Sequence, residues 1–305
     1  MIAVAGPASV DMTLRQPPAE WIGSTGRDVY TSATMHRLEA PVEMGLGGNG
    51  AAAAYVIGRL GLPVRLNAPI GNDTAGKLVL DWLVDTGVEI IAPNAIATML
   101  SLAAVDAEGK RLGTLQYPGT PVDWLLSAVT DEATWLLAAI PSQMPNGDLA
   151  RVQETLRTFR KPGRATALDT GRGWIHQLQA EQIIALWKDV DLLIGTIEEL
   201  SAWSGCKKAS SITQFALDHG PKQVVVKMGS DGAAYQSKTE DYEHQPACTV
   251  SRSDLSIGAG DAFNGALVAS LARGQSLAQA VTQGQQVAAK VVESGRGVLG
   301  WDSTI

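Results

Sequence analysis

A chain of 305 residues with 45% hydrophobic side chains can build one large α/β core, and no apolar run approaches the ~20 residues that a membrane span requires. Against 24 Lys and Arg stand 31 Asp and Glu, a formal charge of −7 that disfavours nucleic acid or an anionic membrane as main partner, since both demand dense positive charge. Cys206 and Cys248 fit no metal spacing and read as reduced thiols, and Met1-Ile2-Ala3-Val4-Ala5-Gly6 lacks the charged start and long apolar stretch of a signal peptide, so a cytoplasmic protein is expected.

Those first residues predict a buried strand ending at Gly6. Residues 12–44 mix Pro17-Pro18, Gly23 and Gly26 with short extended pieces at 27–31 and 37–42, which suggests a partly separate β element. Further along, Val/Ile/Leu-rich runs predict strands at 64–70, 134–138, 165–168, 190–194 and 224–227. Between them apolar residues recur at helical spacing over 50–60, 74–86, 149–159, 180–187, 212–219, 259–273 and 277–292. Asp73 and Ser276 stand where helix N-caps belong, and Gly87 and Gly274 follow helix ends. Segments 98–106 and 111–117 flank Ala107-Glu108-Gly109-Lys110, a hairpin turn that would add two strands to the β element. Strands alternating with helices predict a central, mostly parallel sheet covered on both faces.

The chemistry concentrates in Ser256-Ile257-Gly258-Ala259-Gly260-Asp261-Ala262-Phe263-Asn264-Gly265. Two glycines at a helix start leave backbone N–H groups free for an anion, and the helix dipole favours negative charge there. A carboxylate beside a bound phosphate makes sense as the base that deprotonates an attacking hydroxyl. Taken by itself, however, Asp261 reads equally well as a simple helix N-cap. Gly45-Leu46-Gly47-Gly48-Asn49-Gly50 matches G-x-G-x-x-G, but it does not close the first strand of a βαβ unit, which argues against a dinucleotide fingerprint; Asp73, at the ribose-acid distance, reads better as a cap. No G-x-x-x-x-G-K-[ST] is present, so no P-loop holds a nucleotide.

The stretch Gly258 to Gly265, together with Gly47-Gly48, a small-residue helix, Arg59-Leu60-Gly61 and Gly71-Asn72-Asp73-Thr74-Ala75-Gly76, resembles the paired signatures of the ribokinase-like (PfkB) family of carbohydrate and nucleoside kinases. The motifs keep the family's order from Ile2 to about Val298. The resemblance implies a single ribokinase-like domain over 1–305, with a small β lid formed by about 12–44 and 98–117, which in this family often pairs two subunits into a homodimer. It also implies ATP and Mg2+, and phosphoryl transfer to a hydroxymethyl group of a sugar or sugar-containing small molecule. Roles then fall on Asp261 as base, with Gly258, Ala259 and Gly260 as an anion hole, and on Asp11, Gly47, Gly48 and Asn49 at the acceptor. Lys227, Gly229, Gly232 and Asn264 would lie at ATP, and Glu199 at the metal. Asp169 reads as a cap or a surface ion-pair partner.

The sequence also departs from the family pattern. Thr196 stands in place of Asn in the metal segment, and Leu255-Ser256-Ile257 in place of Asp-Thr-Thr before the anion hole, where cation-activated relatives build a monovalent-cation site. Ala52 and Ser9 replace two acceptor-binding Asn residues, and 138–141 is apolar. Each polyol hydroxyl left without a partner would cost ~1–3 kcal/mol if buried. A nucleoside is therefore the alternative acceptor, and a non-catalytic ligand-binding relative the rival from another class.

Overall fold

The computed structural model describes residues 1–17, 38, 40–91, 94–107, 109, 111–119, 131–139, 148–171, 178–251 and 256–302. In chain order, β1 (Ile2–Ala5) opens a main sheet, while β2 (Ser9–Arg15) and β3 (Glu43–Gly47) open a second one. Then come α1 (Asn49–Arg59), β4 (Val64–Asn67), β5 (Ile70–Gly71), α2 (Thr74–Leu83), β6 (Val88–Ile91) and β7 (Asn94–Ala95). A hairpin of β8 (Met99–Val105) and β9 (Arg111–Tyr117) precedes β10 (Trp135–Ala139), α3 (Asp148–Phe159), β11 (Ala165–Asp169), α4 (Ala180–Leu186) and β12 (Leu192–Thr196). The chain closes with α5 (Ile197–Ser204), α6 (Ala209–Asp218), β13 (Gln223–Lys227), β14 (Ala233–Ser237), β15 (Glu243–Gln245), α7 (Ala259–Ala272) and α8 (Leu277–Ser294).

The main sheet runs β15-β14-β13-β12-β11-β10-β1-β4-β6. From β13 to β6 every pairing is parallel; the β13–β14 and β14–β15 pairings are antiparallel, so β14 alone runs against the other strands. Continuous apolar strands such as Val224, Val225 and Val226 are buried on both faces, which is stable only when helices cover each side. One face packs Ile57, Val79, Leu267 and Val287 from α1, α2, α7 and α8. The other packs Leu156, Leu186, Leu200 and Ile212 from α3 to α6. Among the described residues no helix is long and apolar enough to cross a membrane.

The second sheet runs β3-β2-β8-β9. Its strand alternation puts Asp11 and Thr13 on one face, and a row of Met44, Met12, Leu102 and Leu115 across all four strands on the other.

Several sequence expectations need adjustment. The strand expected over 64–70 breaks at Asn67, since Pro69 has no N–H for a ladder, and Ile70–Gly71 pairs with β7 instead of the main sheet. The extended piece expected at 37–42 lies partly outside the described residues; residues 40–42 are not in a strand, and β3 starts at Glu43. The piece at 27–31 lies wholly outside them.

Candidate active site

The parallel strands deliver their chemistry at their carboxyl ends, where Asp169 ends β11, Thr196 ends β12 and Lys227 ends β13. Helix α7 starts over the same edge. Its N-cap, Gly258, has φ 78°, a left-handed conformation that favours glycine, and contributes no side-chain cap. Alanines 51 to 54 of α1 are all buried, and a Cβ on Gly265 of α7 would stand 2.6 Å from the Ala53 carbonyl oxygen. Small residues on both helices thus allow the close approach that brings the start of α7 to the start of α1. Of the three expected anion-hole positions, Ala259 already donates its N–H to Ser256 O at 3.2 Å. Among the described residues the N–H groups of Gly258, Gly260 and Asp261 have no acceptor, so open donors flank Ala259 on both sides.

Asp261 is the third residue of α7. Burial, and after it the negative charge of Asp169, push its carboxyl up to about 7; Lys227 pulls the other way, while Asp11 and Glu199 add to the rise. Lys227 Nζ donates to Asn264 Oδ1 at 3.0 Å and pairs with Asp169 Oδ1 at 3.6 Å. Burial opposes its charge, but Asp169, Glu199 and Asp261 outweigh that and hold the ammonium above its ordinary value. Asp169 therefore departs from its reading as a cap or surface ion-pair partner: it is 4% exposed, and its other oxygen accepts from Asn49 Nδ2 at 3.5 Å. What could have signalled this is its place at a strand end before Thr170-Gly171, in register with the strand that ends at Thr196.

Opposite α7, Ser9 Oγ donates to Asp11 Oδ1 at 2.7 Å. Burial raises the Asp11 carboxyl, opposed by that hydrogen bond and by the charge of Arg111. A Cβ on Gly47 would lie 2.0 Å from the Asp11 carboxylate, so any larger residue there would displace that side chain. Gly48 turns the chain from β3 into α1 at φ 78°, against the Pro7 carbonyl. A cavity of about 220 Å³ lies between Asp11, Thr13 and Gly45 on one side and Ile257, Gly258 and Arg296 on the other. The Gly295-Arg296-Gly297 wall comes from what the sequence presents as a Gly-rich end, and no motif marked it.

On the other side of the same helix start, a cavity of about 360 Å³ is lined by Lys227, Gly229, Gly232, Ala259 and Gly260, with Cys248, Val250, Ala288, Ala289 and Val292 as apolar walls. Gly229 and Gly232 take φ 60° and 93°, and the turn closes with Met228 N donating to Gly232 O at 2.8 Å. Open backbone groups and an ammonium at one end, apolar walls at the other, form a cradle that fits a nucleotide. Asn264, expected to line it, is 1% exposed and lies beneath, as the acceptor for Lys227.

Glu199 is buried, and its carboxylate accepts the Thr196 N–H at 2.8 Å in a capping box that Thr196 Oγ1 completes at 3.2 Å. Among the described residues no group of three or more His, Cys, Asp or Glu could hold a metal ion. A magnesium ion that keeps its waters and takes its remaining ligands from phosphates fits such a site, with Glu199 the nearby carboxylate that would orient those waters.

The model of the pfkB family carbohydrate kinases matches residues 20–302. The chain is 25% identical over 268 residues to fructokinase-1 of Zea mays, covering 82% of this chain and 81% of that one. Ribokinase of Arabidopsis thaliana, solved with ribose and ATP, superposes with a TM-score of 0.76 at 22% identity, covering 98% of this chain and 94% of that one. Adenosine kinase of Sinorhizobium meliloti gives a TM-score of 0.80 at 17% identity over 95% and 93%. The two solved structures share the fold, an α/β architecture of the ribokinase type. By fold and by a family match that spans the helix start between its two cavities, the chain belongs to the pfkB family of carbohydrate kinases.

Proposed function

We propose that the protein is an ATP-dependent kinase that phosphorylates a hydroxymethyl group of a sugar or sugar-containing small molecule. One observation carries this reading: the open N-terminus of α7, with Asp261 in its first turn, stands between a cavity lined by Asp11 and a cavity lined by Lys227, Gly229 and Gly232. An acceptor hydroxyl entering from the first cavity meets a phosphate entering from the second at this helix start, where free N–H groups and a carboxylate coincide.

Asp261 removes the hydroxyl proton as the acceptor oxygen attacks the terminal phosphorus of ATP; the new O–P bond forms, the bond to the bridging oxygen breaks and ADP leaves. A carboxyl pushed up to about 7 suits this task, because it accepts the proton more readily than an ordinary carboxylate and is still ionised in a substantial fraction at neutral pH. The N–H groups of Gly260 and Asp261, with Gly258 and Ala259 shaping the turn, stabilise the charge on the phosphoryl oxygens. Asp11, Asn49 and the close-packed Gly47 and Gly48 orient the acceptor. Glu199 is the carboxylate that would hold the waters of a magnesium ion, which when bound would supply charge neutralisation at the phosphates.

The second sheet acts as a lid that excludes water, the competing acceptor. Leu115 and Met44, 73% and 59% exposed on that sheet's apolar row, support pairing of two lids in a homodimer. Sedimentation velocity checks this, with a Leu115→Glu variant expected to sediment as a monomer.

The reading is tested by ADP release with ATP and magnesium across a panel of pentoses, hexoses, sugar acids and nucleosides. One acceptor class should give turnover that Asp261→Asn lowers by about 10²–10⁴-fold, the contribution expected of a general base. Silence across the panel, or full turnover in the variant, would sink it.

A further inference from the structure

Lys227 stands beside the open start of α7, and its hydrogen bonds leave it unfinished. An ammonium carries three protons. One goes to Asn264 Oδ1 at 3.0 Å and one faces Asp169 Oδ1 at 3.6 Å. Beyond these two contacts the ammonium has no further acceptor among the described residues, although the side chain is only 13% exposed. That exposed fraction faces the cavity that Lys227 shares with Gly229, Ala259 and Gly260. The ammonium lies 3.7 Å from where a Cβ on Gly260 would stand, beside a backbone whose N–H is itself open.

A phosphate oxygen accepting from the Gly260 N–H is thus within reach of Lys227. A purely structural lysine here would be poorly explained, because a buried ion pair gains little once both charges have been desolvated. It would also be expected to use all its donors. The Asp169 and Asn264 tethers, from β11 and from within α7, restrict where the ammonium can move, so that it is pre-placed before any ligand arrives.

We propose that Lys227 is a catalytic residue that donates a hydrogen bond from its remaining N–H to the phosphoryl group in transfer, supplying from the protein a positive charge at the place where acceptor and nucleotide meet. Asp169 and Asn264 are positioning residues that aim it. This rests on the phosphotransfer reading for its catalytic consequence, but its structural content is narrower: Lys227 touches the terminal phosphate of ATP and nothing of ADP that lies further from α7.

Equilibrium binding of ATP and of ADP, without acceptor and at fixed free magnesium, separates the two ideas. Lys227→Met should weaken ATP by about tenfold or more, the value of one charge-assisted hydrogen bond, and leave ADP within about twofold. Lys227→Arg, which keeps the charge, should restore most of the preference. In turnover, Lys227→Met should lower kcat with the acceptor KM unchanged. Equal weakening of ATP and ADP, or no change in either, would overturn the proposal and leave Lys227 a structural tie. Each variant's own ADP affinity reports whether its site is folded. A wild-type protein that shows the Lys227-dependent preference for ATP but releases no ADP with any acceptor would refute the kinase reading while the contact stands. Unchanged turnover in Lys227→Met would refute the contact while the kinase stands.

Discussion

Helices α2 and α7 both begin with a glycine-rich turn and an aspartate, and the two aspartates have opposite fates. At α2, Asp73 is the N-cap, and its carboxylate accepts from the Gly76 N–H at 2.7 Å, the Thr98 N–H at 2.8 Å and Thr98 Oγ1 at 2.8 Å. Those bonds overcome the cost of burial and hold the carboxyl below its ordinary value. At α7 the cap is Gly258, which has no side chain to give, and Asp261 stands three residues on, pushed up to about 7 by burial and by Asp169. The first carboxylate uses its charge to satisfy the helix. The second leaves the helix donors open and keeps its own charge at a cost. Stability and function are thus written in the same residue type, and what separates them is which group satisfies the N–H donors.

Replacing each aspartate should therefore produce opposite signs. Asp261→Asn, expected to lose activity by orders of magnitude, should also stabilise the fold, and the sign can be worked through. An acid whose folded pKa is about 7 against an ordinary 3.8 prefers its proton in the folded state, so its penalty is absent well below 3.8, grows as pH rises between the two values and is complete above 7. The interval corresponds to roughly 4 kcal/mol at most. Melting temperatures of wild type and Asp261→Asn, measured with EDTA, should diverge as pH goes from 5 to 8.5, the variant melting higher. In the wild type, kcat/KM should climb as pH rises through about 7, where the base frees itself. Parallel melting curves at all pH values would mean that Asp261 carries no such strain.

Gly47→Ala tests the acceptor side next. The added methyl group would meet the Asp11 carboxylate at 2.0 Å, and Asp11 is fixed by Ser9 and by its place in β2, so the carboxylate must turn away. Losing one charged contact to an acceptor costs about 1.5–3 kcal/mol, or about 10–100-fold in kcat/KM, with ATP binding untouched. Acceptor titrations at saturating ATP would show it, and an unaltered kcat/KM would remove Asp11 from the acceptor site.

Much of the fold could be read directly from the sequence, because buried parallel strands and amphipathic helices each carry their own period. The helix over 277–292, for example, is present as α8 with its Ser276 cap. The second sheet was harder. Its strands lie far apart in the chain, and β2 pairs in parallel with β8 across some ninety residues, a partnership no local pattern encodes. The site shows the same division. Asp261, Gly47 and Gly232 were visible because their chemistry is local, a turn or a helix start. Asp169 was not, since its meaning depends on Lys227 and Asn49, which approach it only after folding.

The smallest effect belongs to Asp73, where the comparison is sharpest. From the sequence, Asp73 and Asp261 both qualify as N-caps, and only the structure separates them. Asp73→Ala removes the cap bond to Gly76 and two bonds to Thr98, and leaves the Thr98 N–H without its acceptor. A lost cap is worth about 1 kcal/mol, and the unsatisfied donor adds about 1–2 kcal/mol. For a chain of this length that corresponds to a fall of a few degrees in Tm. Because a paired carboxylate with a depressed pKa stabilises only while ionised, the deficit should be full at neutral pH and shrink as pH falls below the ordinary carboxylate range. The kinetic constants should stay at wild-type values, since Asp73 borders neither cavity. Loss of turnover without loss of Tm in Asp73→Ala would reverse the assignment and make this helix start, like that of α7, part of the working site.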